Sequence, residues 1–218
     1  MEVSTSVLSI KEEESIQKFY DLEVAKTDYF HIDVMDGRFV TNDTSIIMRK
    51  YAEYLSQITL TPLDVHLMVK NIKEYVDSYS IFNPNIISFH YEACENKEKV
   101  EEYIKYIKDK EIKVGLAINP ITEIKEIEEF LPKINMLLIM SVEPGKGGQT
   151  FIEEALEKVE KANKKIEELD LSTEIEVDGG INLENIEKIK EKGATIAVSG
   201  TGILSAKDYK YTIREMKK

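Results

Sequence analysis

The chain has 218 residues, of which 42% are hydrophobic and 32% charged, a balance typical of a folded globular protein and not of a disordered chain. Its 41 acidic and 29 basic side chains give a net charge of −12, which disfavours nucleic acid or an anionic membrane surface as the main partner. An anionic substrate would therefore need a local site rich in backbone N–H groups, because the field of the whole molecule repels it.

Cysteine usage and the amino-terminal sequence indicate the compartment. The single cysteine, Cys94, cannot form an internal disulfide, which fits a reducing cytoplasm, and we interpret it as structural. The segment "MEVSTSVLSI" lacks the basic flank and long apolar stretch of a signal peptide. No apolar run approaches the roughly 20 residues that a membrane-spanning helix needs. We therefore expect a cytoplasmic protein that binds neither membranes nor nucleic acid.

Short apolar runs rich in β-branched residues alternate along the chain with charged segments of helical period, as in parallel βα units. Eight such units in this length favour an α/β fold of one domain over residues 1–218, a closed (β/α)₈ TIM barrel, rather than an open doubly wound sheet. The predicted strands are 3–8, 29–34, 63–68, 86–90, 113–118, 136–142, 174–177 and 194–198.

The intervening segments carry signals of helix ends. Thr122 and Asn182 occupy positions expected for N-caps, and Gly193 stands where a helix should end before a strand. An amphipathic helix is predicted where apolar residues recur at three- and four-residue steps, at Leu156, Val159, Ala162 and Ile166.

Polar residues gather at the carboxyl ends of the predicted strands, the face where barrels of this type carry their sites. Alternate residues of a strand share a face, so His31 and Asp33 of the second strand point the same way. If these faces look into the barrel, they converge with His66 of the third strand and Asp178 of the seventh. Two imidazoles and two carboxylates form a suitable shell for Zn²⁺ or another divalent metal.

Three further polar residues lie on or near these strands. Asp64 and Glu176 lie two residues earlier on the same faces as His66 and Asp178, and we expect them to accept hydrogen bonds from the ligand imidazoles. His90 ends the fourth strand, where a pocket role and a purely structural role both stay open.

Three glycine-rich segments follow the sixth, seventh and eighth strands: "PGKGGQ" at 144–149, "DGG" at 178–180 and "SGTG" at 199–202. Glycine lets the backbone approach an anion closely and present N–H groups to it, and loops in this part of a barrel commonly hold phosphate. The pattern indicates a phosphorylated ligand. Lys146 could contact the phosphate or a substrate carboxylate, or project into solvent.

The motifs "HIDVMDGRFV", "DVHLMV", "ISFHYEA", "VGLAINPIT", "MSVEPGKGGQTF", "VDGGIN" and "VSGTGIL" occur in this order. From about Ser6 to Leu204 they resemble the ribulose-phosphate 3-epimerase family. The resemblance implies a ribulose-phosphate-binding TIM barrel that interconverts D-ribulose 5-phosphate and D-xylulose 5-phosphate in the pentose phosphate pathway. It also implies a homo-oligomer, a dimer or hexamer.

The same resemblance implies residue roles. His31, Asp33, His66 and Asp178 match metal ligands for one divalent ion per subunit, with Zn²⁺ preferred over Fe²⁺, Mn²⁺ or Co²⁺. Asp33 and Asp178 also match an acid/base pair that transfers protons through a metal-stabilised enediolate. The implied substrate and phosphate contacts are Ser6, His66, Gly145, Lys146, Gly147, Gly148, Gly179, Gly180, Gly200 and Thr201, and the implied pocket lining is Met35, Met68 and Met140.

Several positions depart from the family pattern. Thr5 and Thr41 stand where the family usually has proline, Lys146 where it usually has phenylalanine, and Ile121 where it commonly has glycine. These changes leave loop rigidity and sugar preference open, because proline fixes loop geometry. Thr41 is the position we associate with a shift in sugar preference.

Other functions have different sequence requirements. D-allulose 6-phosphate 3-epimerases, which form D-fructose 6-phosphate, resemble the sequence in most of the same motifs. A barrel decarboxylase would need a D-x-K-x-x-D arrangement, which "DVMDG" does not provide. A two-carboxylate glycosidase would not explain the histidine pair or the glycine loops. A non-catalytic sugar-phosphate-binding barrel would not need both aspartates with a metal shell.

Overall fold

Eight parallel strands close into a barrel in which each strand pairs with its chain neighbours and the last pairs with the first, in a computed structural model that describes residues 1–218. The predicted TIM barrel is therefore confirmed. The third, fourth and fifth strands have the predicted bounds, and the others differ by one or two residues at one end or at both ends. The strands are β1 (Glu2–Ser6), β2 (Tyr29–Met35), β3 (Leu63–Met68), β4 (Ile86–His90), β5 (Lys113–Ile118), β6 (Met136–Met140), β7 (Glu174–Asp178) and β8 (Ile196–Ser199).

Helices connect successive strands on the outside of the barrel. None of them is long and apolar enough to cross a membrane. Short 3₁₀ helices at Glu12–Glu14, Tyr91–Ala93 and Glu128–Lys133 supplement them. The α-helices are α1 (Ser15–Val24), α2 (Ser45–Ile58), α3 (Ile72–Ser80), α4 (Lys97–Lys108), α5 (Ile124–Ile127), α6 (Ala155–Glu168), α7 (Ile186–Glu191), α8 (Thr201–Leu204) and α9 (Tyr209–Lys217).

Side-chain alternation divides the apolar core into two parts. Outward-facing strand residues such as Ile32 and Val65 pack with the helices in one large cluster. A small second cluster, which includes Leu138, Met140 and Ile196, lies inside the barrel. Many of the other inward-facing residues are polar, and they form the site described below.

One of the three predicted helix ends is confirmed and two are wrong. Gly193 follows α7 with a φ of +103°, as expected for a glycine that ends a helix. The N-cap of α5 is Glu123, because the Thr122 hydroxyl instead donates to a carboxylate of another loop. The N-cap position of α7 belongs to Asn185, because Asn182 begins a separate turn before the helix.

The tight pairing of Gly115 and Ser88 inside the barrel gives a test of packing. They are partners in the β4–β5 ladder, and a Cβ atom at position 115 would lie 2.2 Å from Ser88 Oγ. We expect Gly115→Ala to lower the free energy of unfolding by about 1–3 kcal/mol, measured by urea denaturation, because it overpacks the interior. Ser88→Gly removes the clashing atoms, so the double variant should lose less than the sum of the single variants. Additive losses would contradict the steric explanation.

Candidate metal and substrate site

Four polar side chains meet at the carboxyl end of the barrel. His31 and Asp33 come from β2, His66 from β3 and Asp178 from β7, and their ligand-capable atoms all lie within 4.8 Å of one another. Asp33 Oδ1 is 3.3 Å from His31 Nε2 and 3.4 Å from His66 Nδ1. Asp178 Oδ2 is 3.8 Å from His31 Nε2 and 3.5 Å from His66 Nδ1. The structure thus brings the four predicted metal ligands together.

The geometry of this cluster fits a divalent cation. His31 Nε2 and His66 Nδ1 are buried and have no hydrogen-bond partner. Donors about 2.0–2.1 Å from a tetrahedral metal are separated from one another by about 3.4 Å, close to the spacings between these nitrogens and carboxylate oxygens. Imidazole nitrogen and carboxylate oxygen together suit Zn²⁺ and other first-row divalent ions.

The electrostatics of the cluster also call for positive charge. Burial would lower the pKa of His31, but the carboxylates of Asp64 and Asp33 outweigh burial and raise it well above its ordinary value. Burial would raise the pKa of Asp33, but the positive charge of His31 and the nearby His66 imidazole hold it below its ordinary range. Positive charge between these carboxylates, carried by imidazole protons or by a cation, therefore stabilises the buried cluster.

Behind the cluster, Asp64 supports His31. Asp64 Oδ2 lies 2.5 Å from His31 Nδ1 and also accepts a hydrogen bond of 2.8 Å from Ser4 Oγ. The expected contact between Asp64 and the imidazole of His31, a predicted metal ligand, is present. The corresponding expectation for Glu176 is wrong, because neither of its buried carboxyl oxygens has a partner. Burial and the neighbouring charge of Asp64 raise the pKa of Glu176 well above its ordinary value.

The two site aspartates differ in their remaining oxygen atoms. Asp33 Oδ2 accepts a hydrogen bond of 2.7 Å from Ser6 Oγ, which places Ser6 beside the cluster. Asp178 Oδ1 takes part in no hydrogen bond with the protein. Each carboxylate thus has one oxygen that faces the imidazoles and one that faces away from them. Of the two oxygens that face away, only Asp33 Oδ2 has a hydrogen-bond partner in the protein.

A pocket opens above the cluster, between the loops that follow β1, β6, β7 and β8. His31 and His66 are fully buried and do not line it. The backbone N–H groups of Gly147, Gly148, Gly179, Gly180 and Gly200 donate no hydrogen bond to another backbone group. The predicted site residues that line the pocket are Ser6, Asp33, Met35, Met68, Met140, Gly145, Lys146, Gly147, Gly148, Asp178, Gly179, Gly180, Gly200 and Thr201.

Backbone contacts fix the shape of the glycine loops. Gly180 has a φ of +69°, and a Cβ atom there would lie 2.5 Å from the backbone nitrogen of Phe151, so only glycine fits without rearrangement. The carbonyl of Gly145 accepts a hydrogen bond of 2.7 Å from Asn42 Nδ2. The loop after β6 is thereby joined both to the loop after β7 and to the loop after β2.

Sequence reasoning missed several residues around the site. Gln149 lines the pocket and its amide donates to the carbonyls of Glu143 and Lys146, at 2.7 and 2.8 Å, which braces the loop from inside. Gln149 ends the "PGKGGQ" motif, and this position could have indicated that it belongs to the site. Ser4, two residues before Ser6 on the same strand face, could have been found from strand periodicity. The side chain of Lys146 is exposed and forms no ion pair.

A (β/α)₈ barrel with its polar cluster at the carboxyl ends of the strands has the architecture of a barrel enzyme. Residues 2–204 match the model of the "Ribulose-phosphate 3 epimerase family". The chain is 38% identical over 192 residues to the ribulose-phosphate 3-epimerase of Helicobacter pylori strain J99, covering 87% of this chain and 85% of the relative. It is 37% identical over 195 residues to that of Escherichia coli strain K12, covering 88% and 84%. The chain belongs to the ribulose-phosphate 3-epimerase family, and it is an isomerase of the epimerase class.

Solved structures agree on the fold. A 3-hexulose-6-phosphate synthase superposes with a TM-score of 0.74, covering 100% of this chain and 98% of the other, at 13% sequence identity. At this identity the likeness shows the shared barrel fold alone.

Cys94 lies close to the site and gives a test that is independent of activity. Burial raises the pKa of its thiol to about 12, and its Sγ lies 3.6 Å from the carbonyl oxygen of His90. At pH 8 we expect the folded protein to react with a disulfide reagent far more slowly than the urea-unfolded chain, because the thiolate is the reacting form. The rate should rise with pH until the fold is lost. Equal rates for folded and unfolded protein at pH 8 would contradict the burial of this thiol.

Proposed function

We propose that the protein interconverts D-ribulose 5-phosphate and D-xylulose 5-phosphate by inverting C3, with a divalent cation bound at the cluster. One observation carries the proposal: Asp33 and Asp178 reach the same point from β2 and β7, beside two buried imidazole nitrogens that have no protein partner. The two relatives described above bear the name of this activity.

Inversion at C3, next to the C2 ketone, needs a proton to leave from one face of the carbon and to return on the other. Asp33 and Asp178 both line the pocket and come from strands on different sides of it. We assign one carboxylate to each face, so that one removes the proton and the other supplies it. The hydroxyl of Ser6 holds Asp33 Oδ2 in place, whereas Asp178 Oδ1 is free to meet substrate.

The cation would be held by His31, Asp33, His66 and Asp178, and we take it to be Zn²⁺, with Fe²⁺, Mn²⁺ and Co²⁺ as alternatives. When bound, it would supply a Lewis acid that stabilises negative charge on substrate oxygens. The methionines that line the pocket cover the reacting carbon with apolar surface and exclude water from it. These methionines are Met35, Met68 and Met140.

The phosphate group binds among the glycine loops in this proposal. Their N–H groups form no backbone hydrogen bonds and line the pocket on one side, which supplies attraction for an anion within a protein of net charge −12. Lys146 lies exposed at the rim, where its charge can approach the phosphate from outside. Phosphate binding gives energy remote from C3, which the enzyme uses to orient the sugar. The groups placed here are the backbones of Gly145, Gly147, Gly148, Gly179, Gly180, Gly200 and Thr201.

Nothing in the structure favours the hexose phosphate alternative. A non-enzymatic sugar-phosphate-binding barrel would not need two carboxylates at the carbon that reacts. We further propose that residues 1–218 act as one cytoplasmic domain, and that the enzyme assembles as a dimer or hexamer of identical chains.

Parallel assays with D-ribulose 5-phosphate and D-allulose 6-phosphate test the substrate. We expect strong preference for the pentose phosphate, loss of activity after exhaustive chelation and recovery with Zn²⁺, because the buried cluster needs a cation to position substrate oxygens. Metal analysis of the same samples should track activity. Preference for the hexose phosphate, or full activity in metal-depleted protein, would overturn the corresponding part of the proposal.

The two-carboxylate scheme is tested by Asp178→Asn in D₂O with Zn²⁺ in excess. We expect turnover to fall by about 10²–10⁴-fold, because the proton on one face loses its carrier. One epimer should still exchange its C3 proton for deuterium, through Asp33. Asp170→Asn, at an exposed turn with φ of +51°, is the matched control and should leave turnover unchanged. Near-normal exchange and turnover of both epimers in Asp178→Asn would disprove the scheme.

A further inference from the structure

A line of polar side chains runs from His66 away from the proposed cation. His66 Nδ1 faces the carboxylates of Asp33 and Asp178, while its other nitrogen, Nε2, lies 2.9 Å from Nε2 of His90. The two rings are stacked, with centroids 5.0 Å apart and an interplanar angle of 28°. On its far side, His90 Nδ1 lies 3.2 Å from Glu92 Oε2.

The carboxylate at the end of this line is itself anchored. Glu92 Oε1 accepts a hydrogen bond of 2.7 Å from the backbone N–H of Asn119 and another from the Thr122 hydroxyl. Both donors belong to the loop after β5, whereas Glu92 follows β4. The carboxylate is therefore fixed from two strands, and its orientation fixes that of His90.

Once His66 Nδ1 binds a cation, only one assignment of donors and acceptors gives each nitrogen and oxygen of this line a hydrogen-bond partner. A neutral imidazole has one N–H, so the proton of His66 must then lie on Nε2 and donate to His90. His90 Nε2 must accept, and the single proton of His90 must lie on Nδ1 and donate to Glu92. An anionic Glu92 accepts this hydrogen bond, and every atom in the line has a partner.

His90 does not meet the substrate directly. It is fully buried, it is absent from the pocket lining, and its ring packs against Phe39 with centroids 4.9 Å apart. Its two ring nitrogens contact only His66 and Glu92. Its effect on the reaction must therefore act through His66.

We propose that His90 and Glu92 are positioning residues that fix the ring and the tautomer of His66, so that its Nδ1 lone pair points at the cation. This inference rests on the proposed function, because it takes His66 to be a ligand. The two ligand imidazoles then have different supports: His31 is held directly by the Asp64 carboxylate at 2.5 Å, and His66 through a second imidazole.

Glu92→Gln is the sharpest test, because it preserves shape and reverses a hydrogen-bond role. Its carbonyl oxygen can still accept from Asn119 and Thr122, which turns the amide N–H₂ towards His90 Nδ1. His90 must then carry its proton on Nε2, where it opposes the proton of His66. We expect the affinity of the purified metal-free protein for Zn²⁺ to fall about 10–100-fold, measured by competition with a chelator. Glu95→Gln, an exposed neighbour, is the control and should change the affinity by less than twofold.

Nitrogen NMR gives a readout that a merely structural role would not move. The chain contains three histidines: His31 and His66 belong to the cluster, and His90 stacks on His66. ¹⁵N-histidine spectra of the Zn²⁺-loaded protein therefore report on these three rings alone. We expect the proton on Nε2 of His66 and on Nδ1 of His90 in the unchanged protein, and an altered pattern in Glu92→Gln. Unchanged tautomers together with unchanged Zn²⁺ affinity in that variant would overturn the inference.

His90 variants keep the test decisive if Glu92→Gln fails to fold. His90→Gln can accept from His66 and donate to Glu92, so its Zn²⁺ affinity should stay within a few-fold of the original, whereas His90→Leu should lose about 10–100-fold. Equal affinities in these two variants would contradict the positioning role. If the unchanged protein binds none of Zn²⁺, Fe²⁺, Mn²⁺ and Co²⁺, or if His66→Ala leaves its metal affinity intact, the proposed function itself fails, which is a separate outcome.

Discussion

The backbone register between β2 and β3 is the constraint on which the site depends. It sets Asp33 beside His66 and His31 beside Asp64, and the same ladder sets Met35 beside Met68. Because side chains alternate between faces, a slip of one residue would turn the slipped strand's polar residues out of the barrel interior. The proposed ligand side chains are therefore placed by the strands themselves, and no flexible loop has to place them.

This arrangement concentrates charge among buried and nearly buried side chains, and removing a charged group from water costs several kcal/mol unless a partner offsets it. The protein meets this cost with local partners: imidazoles beside Asp33 and Asp178, and serine hydroxyls on Asp64 and Asp33. Glu176, the buried carboxyl group without such a partner, has a pKa raised well above its ordinary value. In the proposed cation-bound enzyme, the metal charge takes the place of the imidazole protons.

Much of the fold could be predicted from the local sequence pattern, because buried parallel strands are short apolar runs and the helices between them show apolar residues at helical spacing. The bounds of β3, β4 and β5 were predicted on this basis. The convergence of the four proposed ligands followed from two general rules, side-chain alternation and barrel closure. Their roles stay predictions.

Interactions between distant loops could not be predicted in this way. Thr122 has the sequence context of an N-cap, yet its hydroxyl donates to Glu92, a residue that only the tertiary fold brings near. The same holds for His90, whose partner on β3 depends on the register and tilt of two strands. The local preference of a residue for capping its own helix is overridden where the tertiary fold offers a charged acceptor, because a hydrogen bond to a charged group is stronger.

Closure of the barrel links the site to the folding of the chain. The seam between β1 and β8 pairs the two ends of the chain, such as Glu2 with Ile196, and contacts so distant in sequence form slowly. Asp178 lies on the β7 side of this seam and the other proposed ligands lie on the β2 side. A cation held by all four residues would connect the two sides of this seam. Its binding would then add to the stability of the folded barrel.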